Sequence, residues 1–195
     1  DKEGRLLAPN GKPSNLTERQ YAQVRTKAFK DWFGDWETLA EQDVIMPIGT
    51  SGSGKSTWIK TLPNLESYTI ISPDEMRTEF TGNINDKSKD DIIYQEAAKR
   101  AIQAIQNGKK VVFDTTNLKK DRRTAFTNAL YAAFPNIKIA YKVMPLNAGL
   151  AKQRIKTDIK NGKNRANVSE ETIDRHASSY PKMLEDIKSE KPIII

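Results

Sequence analysis

The sequence contains no cysteine, which excludes both a disulfide framework and a thiolate zinc site. Histidine is nearly absent. A single residue, His176, cannot build a histidine metal cluster or a serine–histidine triad, and it reads as a structural or surface position. Long apolar runs are missing as well. No stretch approaches the roughly 18 apolar residues that span a bilayer, and the charged opening DKEGR lacks the apolar centre of a signal peptide. A cytoplasmic location with no membrane partner is the expectation. Charge, by contrast, is plentiful: 32 Lys and Arg stand against 25 Asp and Glu, a net charge of +7 on 195 residues. The hydrophobic content of 37% suffices for one globular core. A basic surface suits a phosphate-rich partner, because cations that neutralise phosphates release condensed counterions.

Two regions differ in texture. Residues 1–42 read as a linker and helical extension, and residues 43–195 as the main domain. In the first, Thr17 and Gln20 form a capping box before a helix that runs to about Phe33. The aromatic segment that follows, with Trp32, Phe33 and Trp36, reads as a hydrophobic clamp without chemistry. From Asp43 onward, apolar strand patterns at 44–49, 67–72, 110–114, 137–143 and 192–195 alternate with helical ones. The helices are expected at 56–62, from Pro73, from about Asp91 to a stop at Gly108, at 120–133 and at 147–160. A last helix capped by Ser169 should be kinked or divided at Pro181. Such alternation predicts an α/β domain, a parallel sheet sandwiched by helices.

One motif carries explicit chemistry. Gly49-Thr50-Ser51-Gly52-Ser53-Gly54-Lys55-Ser56 follows a strand and opens a helix. Its glycines let successive backbone N–H groups turn inward on phosphate oxygens, and the helix N-terminus adds partial positive charge. Lys55 is expected on the β- and γ-phosphates of ATP, Ser56 on magnesium, and Thr57 completes the nucleotide-binding set.

The next strand ends in Ser72-Pro73-Asp74-Glu75-Met76-Arg77, which places an acid in the first turn of a helix at the sheet's carboxyl edge. A carboxylate there can accept the proton of an attacking hydroxyl. Arg77, three residues on, shares its helical face and can clamp an acceptor phosphate. The same pair fits ordinary acidic decoration of a helix start beside a surface arginine.

GTSGSGKSTW, ISPDEMR and VVFDTTNLKKDRR, in this order and spacing, resemble the P-loop polynucleotide 5′-hydroxyl kinases of phages and bacterial RNA repair, relatives of the zeta-toxin kinases. The likeness runs from about Val44 to Glu185. It implies a P-loop NTPase-type, adenylate-kinase-like fold with a basic helical lid at about 150–167, ATP and magnesium as cofactors, and DNA or RNA 5′ ends as partners. By the same resemblance Asp74 is the general base and Arg77 holds the acceptor phosphate. Asp114, in the Walker-B position, either orients the magnesium shell or holds Arg77. Asn117 caps its own loop, and Arg122 and Arg123 are expected in surface ion pairs.

The segment from Lys152 to Arg165 carries six basic residues against Asp158. In the resembling kinases, lid arginines stabilise charge on the transferred phosphoryl group. Arg154 matches the first of them. The second position holds Asp158 here, and the lid is about five residues longer, so Arg165 takes the role with Lys163 as a competitor. A zeta-toxin-like kinase acting on a small molecule such as a nucleotide sugar is the alternative. APNGKPSNL and VRTKAFKDWFGDWE resemble a connector in large multidomain proteins of phages and mobile elements, which implies one module of a longer polypeptide.

Overall fold

The computed structural model describes residues 38, 39, 41–163 and 165–195. The capping box at Thr17 and the aromatic segment with Trp32, Phe33 and Trp36 lie outside these residues. Within them, five strands form a single sheet: β1 (Val44–Ile48), β2 (Tyr68–Ile71), β3 (Lys110–Phe113), β4 (Ile139–Val143) and β5 (Ile193–Ile194). Their spatial order is β2-β3-β1-β4-β5, and every pair is parallel. Among the described residues, no helix is long and apolar enough to cross a membrane.

A parallel strand covered on both faces has no solvent side, so its sequence loses alternation and becomes continuously apolar. β1 shows this directly, since all five residues of VIMPI are buried. Pro47 stands in this central strand, where a missing N–H would ordinarily break the ladder. The break coincides with the end of the β1–β3 register at Ile45. Asn117 Nδ2 then donates to the Pro47 carbonyl at 2.9 Å, so the strand stays tied to the β3 side.

Among the described residues from Asp43 onward, seven α-helices accompany the sheet: α1 (Lys55–Ile59), α2 (Pro73–Thr81), α3 (Asp90–Gln106), α4 (Lys120–Ala133), α5 (Ala148–Lys160), α6 (Glu170–Ser178) and α7 (Tyr180–Lys188). One face packs against α3, α4 and α7 through Ile93, Phe126, Leu130 and Met183. There Phe113 of β3 stacks on Phe126 with ring centroids 3.9 Å apart. The other face packs against α1 through Trp58 and Ile59.

α1 is shorter than the sequence pattern predicts. Thr61 and Leu62 bond back to the carbonyls of Trp58 and Ile59, so the chain tightens to i→i+3 turns just before Pro63. A residue preceding proline is excluded from the α region, which accounts for the early end. The last helical stretch is divided rather than kinked, with Ser179 closing α6 and Pro181 in the first turn of α7.

Candidate active site

The loop between β1 and α1 curls because Gly52 and Gly54 take left-handed backbone angles, φ +76° and +100°. Side-chained residues are strained in this region. Lys55 lies buried within the loop, its Nζ donating to the carbonyls of Gly49 at 3.0 Å and Thr50 at 2.9 Å. Thr50 Oγ1 and Ser53 Oγ are buried with no hydrogen-bond partner. Buried polar atoms in native proteins are otherwise nearly always paired. A cradle with unspent donors around a lysine fits a chain of phosphates. Ser51 is partly covered, whereas Ser56 and Thr57 face solvent on the first turn of α1.

Gly52 has a second reason to lack a side chain. A Cβ there would stand 2.6 Å from the Ala151 carbonyl oxygen of α5, and backbone cannot swing aside. The lid helix therefore rests directly on the phosphate loop, and Arg154 Nη1 donates to the Gly52 carbonyl at 3.3 Å. Gly52→Ala is expected to push α5 away and weaken ATP binding by about tenfold or more, since the strain and the clash act together. Isothermal titration with ATP against the wild type checks this.

Ser56 Oγ donates to Asp114 Oδ2 at 3.3 Å, joining the start of α1 to the end of β3. Burial pushes the Asp114 carboxyl above its ordinary pKa, with the Lys55 charge opposing. Burial likewise lowers Lys55 to about 8, while the Asp114 and Asp74 charges pull it back up. One ammonium thus senses both carboxylates. No cluster of three or more His, Cys, Asp or Glu suited to a metal exists among the described residues. The pair fits magnesium nonetheless, because that ion takes one or two protein oxygens and draws the rest from phosphates and water.

Ser72 caps α2 by accepting from Glu75 N, and Pro73 fills the position where no N–H is needed. This start fixes Asp74 in the first turn, 47% exposed. Arg77 is buried and donates to Asp74, and its Nε and Nη2 reach the two oxygens of Asp90 at 2.6 and 3.2 Å. Asp90 was not legible as a site residue; it reads as an ordinary acid at the start of a helix. Of the two expectations for Asp114, holding Arg77 is not met, since Asp74 and Asp90 hold it; Asp114 accepts from Ser56 instead.

Near the end of α5, Asp158 holds both candidates for the second basic position. Arg165 Nη1 donates to Asp158 Oδ2 at 2.7 Å, and Lys163 Nζ to Oδ1 at 2.7 Å. The competitors differ in burial: the Lys163 side chain is 64% exposed and Arg165 22%. Only Arg165 adds its charge to those acting on Lys55.

The loop after β3 is built around Asn117, which takes a left-handed φ of 52°. It bonds the Phe113 carbonyl of its own loop at 3.1 Å, as the cap reading requires, but its shorter bond crosses to Pro47. Arg123 corrects the surface expectation. It is 0% exposed, paired with Glu190 at 2.6 Å, and it donates to the carbonyls of Asn117 and Leu118. Arg122 does lie at the surface, against Asp91 at 2.9 Å and over the Tyr94 ring.

An all-parallel five-stranded sheet, a glycine cradle after its central strand and an arginine-bearing helix resting on that cradle define the P-loop kinase fold. The chain belongs to the AAA domain family AAA_33, whose model matches residues 44–183. Among curated proteins, none matches the chain by sequence. Among solved structures, a chain from the Pnkp1/Rnl/Hen1 RNA repair complex is similar at TM-score 0.57 and 19% identity, covering 73% of this chain. This chain spans 45% of that neighbour's length. A Chloroflexus aurantiacus chain assigned as a kinase is similar at TM-score 0.53 and 16% identity, over 68% of this chain and 74% of its own. Identities this low speak for the fold.

Proposed function

We propose that the chain transfers the γ-phosphoryl group of ATP to the 5′-hydroxyl end of DNA or RNA. The observation that carries this reading is the placement of Asp74. Its charge acts on Lys55 and Asp114 inside the cradle, yet nearly half of its side chain faces solvent, beside the buried Arg77. A carboxylate between a phosphate cradle and open solvent is placed to serve a hydroxyl that arrives from outside.

The backbone of Gly49 to Ser56 and the Lys55 ammonium bind and orient the β- and γ-phosphates. Ser56, with Asp114 behind it, would hold magnesium, which when bound neutralises charge on the phosphate oxygens. Asp74 accepts the proton of the acceptor hydroxyl as its oxygen bonds to the γ-phosphorus. The bond to the β-phosphate oxygen breaks, ADP leaves, and Asp74 returns its proton to water. Arg154 and Arg165, brought to the cradle by α5 and by Asp158, stabilise the charge that spreads over the transferred group.

The net charge of +7 favours a polyanionic acceptor over a small one. The RNA repair neighbour shares the fold and adds modest weight. An acceptor panel tests the reading: 5′-hydroxyl DNA and RNA oligonucleotides, free nucleosides and nucleotide sugars, each with ATP and magnesium. Oligonucleotides are expected to lead by at least about tenfold in kcat/KM, the worth of one charge-assisted contact. Preference for a nucleotide sugar would replace the polynucleotide reading with the small-molecule one.

A further inference from the structure

Arg77 is a buried cation, 5% exposed, and a guanidinium does not lose its proton inside a protein. Its charge has to be met from within. Two carboxylates meet it: Asp74 Oδ1 accepts from Nη1, and Asp90, 13 residues further on, accepts from Nε and Nη2 at 2.6 and 3.2 Å. The two contacts differ in form. Nε and Nη2 lie along one edge of the planar group, so a carboxylate that takes both fixes its plane as well as its position. Asp74 takes a single N–H, and its side chain is 47% exposed. Asp90 is the anchor, and Asp74 is the partner that is held.

An acid in the first turn of a helix has a plainer use, which is to complement the helix dipole. α3 carries two acids there, Asp90 and Asp91. Asp91 serves that purpose from the surface, 86% exposed and paired with Arg122. The Asp90 side chain is only 22% exposed, and both of its oxygens are turned onto Arg77.

Nor does the packing of α2 on α3 depend on Asp90. Met76 of α2 lies in one apolar core with Ile93 and Ala97 of α3, and Phe80 packs against it. Further along, Arg100 of α3 donates to both oxygens of Glu79 of α2, at 2.8 and 2.6 Å. With the helices secured elsewhere, the bidentate grip on Arg77 has a local consequence, and that consequence falls on Asp74.

We propose that Asp90 is a positioning residue for phosphoryl transfer. By fixing the plane of Arg77 it sets the direction of the Nη1–H bond to Asp74 Oδ1, and so leaves Asp74 Oδ2 to meet the acceptor hydroxyl. Among the described residues, Oδ2 carries no hydrogen bond of its own. Arg77, with three of its five N–H groups spent on carboxylates, serves the base rather than the acceptor's phosphate. This rests on Asp74 as the general base and deepens that reading, whatever the size of the acceptor.

Asp90→Asn keeps the shape of the side chain and removes its charge. Its amide oxygen can accept from one Arg77 nitrogen, while its N–H groups face the other, so the guanidinium plane is released. With the acceptor that the wild type phosphorylates best, kcat should fall by about 10- to 100-fold, the scale of a small misplacement of a reacting group. ATP affinity and the acceptor KM should stay near the wild-type values. On an Asp74→Ala background the same change should slow transfer no further, because Asp90 acts through Asp74. Equal slowing on both backgrounds would overturn the proposal. So would an Asp90→Asn variant that raises the acceptor KM and keeps kcat, which would return Arg77 to the acceptor's phosphate.

Urea unfolding of the same four proteins reads the contacts without any acceptor. Losing both carboxylates strands the Arg77 charge, so the double variant's midpoint should drop by more than the two single drops together. Merely additive drops would overturn the anchor. A drop beyond additivity in a protein that labels no strand would uphold the anchor and sink the polynucleotide reading, so the two failures are distinct.

Discussion

Replacing Asp74 with Ala is expected to slow phosphoryl transfer by about 10²–10⁴-fold, the usual worth of a positioned general base, while ATP binding stays at the wild-type level. The structure separates these effects. Asp74 acts on the glycine loop through its charge alone, and the loop's lysine is held by the Gly49 and Thr50 carbonyls. The fold should tolerate the change, because α2 is capped by Ser72 and Glu75 N rather than by Asp74. Arg77 keeps both bonds to Asp90, so no buried cation is left alone. With Asp74 nearly half exposed, the stability loss should stay below about 1 kcal/mol. Single-turnover transfer and equilibrium ATP binding on the same preparation make the comparison. Undiminished transfer would remove Asp74 from the chemistry.

Replacing Arg123 with Ala should cost about 3–5 kcal/mol of stability, because it strands a buried carboxylate. Arg123 and Glu190 are 0% and 4% exposed, joined through two guanidinium nitrogens at 2.6 and 3.2 Å. Tyr141 also donates to Glu190, at 2.6 Å, and burial with that carboxylate drives its phenol pKa upward. The guanidinium further holds the Asn117 and Leu118 carbonyls, so its loss frees the loop that reaches the phosphate cradle through Pro47. Changing both partners, Arg123→Met with Glu190→Leu, should recover much of the loss, since no uncompensated charge remains. Urea unfolding of the single and double variants decides this. A single variant as stable as the wild type would show that the pair is not holding the loop.

The contrast between Asp74 and Arg123 shows what could be read from sequence. The helix start that carries Asp74 is legible because its signals are local: an apolar strand, an N-cap, a proline and an acid within a few residues. The glycine cradle is legible for the same reason, and β1 because a strand buried on both faces must be apolar throughout. Arg123 is illegible as a buried residue because its partner lies 67 residues away, just after α7 on the same face of the sheet, and an Arg-Arg dipeptide does not show which member turns inward. Asp90 is hidden for a similar reason, since an acid at a helix start looks the same whether it faces water or a buried guanidinium. The lid was half legible. Arg154 keeps its place relative to β4, but Asp158 acquires meaning only when a longer loop folds Arg165 back onto it. Gly52's second constraint, the Ala151 carbonyl 99 positions on, has no trace in the motif itself.

The most direct measurement is transfer of label from γ-labelled ATP, with magnesium, to oligonucleotides bearing either a 5′-hydroxyl or a 5′-phosphate. Label on the 5′-hydroxyl strands alone, removable by a phosphatase that acts on terminal phosphates, is the expected result. Retained ATP binding with no label on any strand would contradict the polynucleotide kinase reading outright.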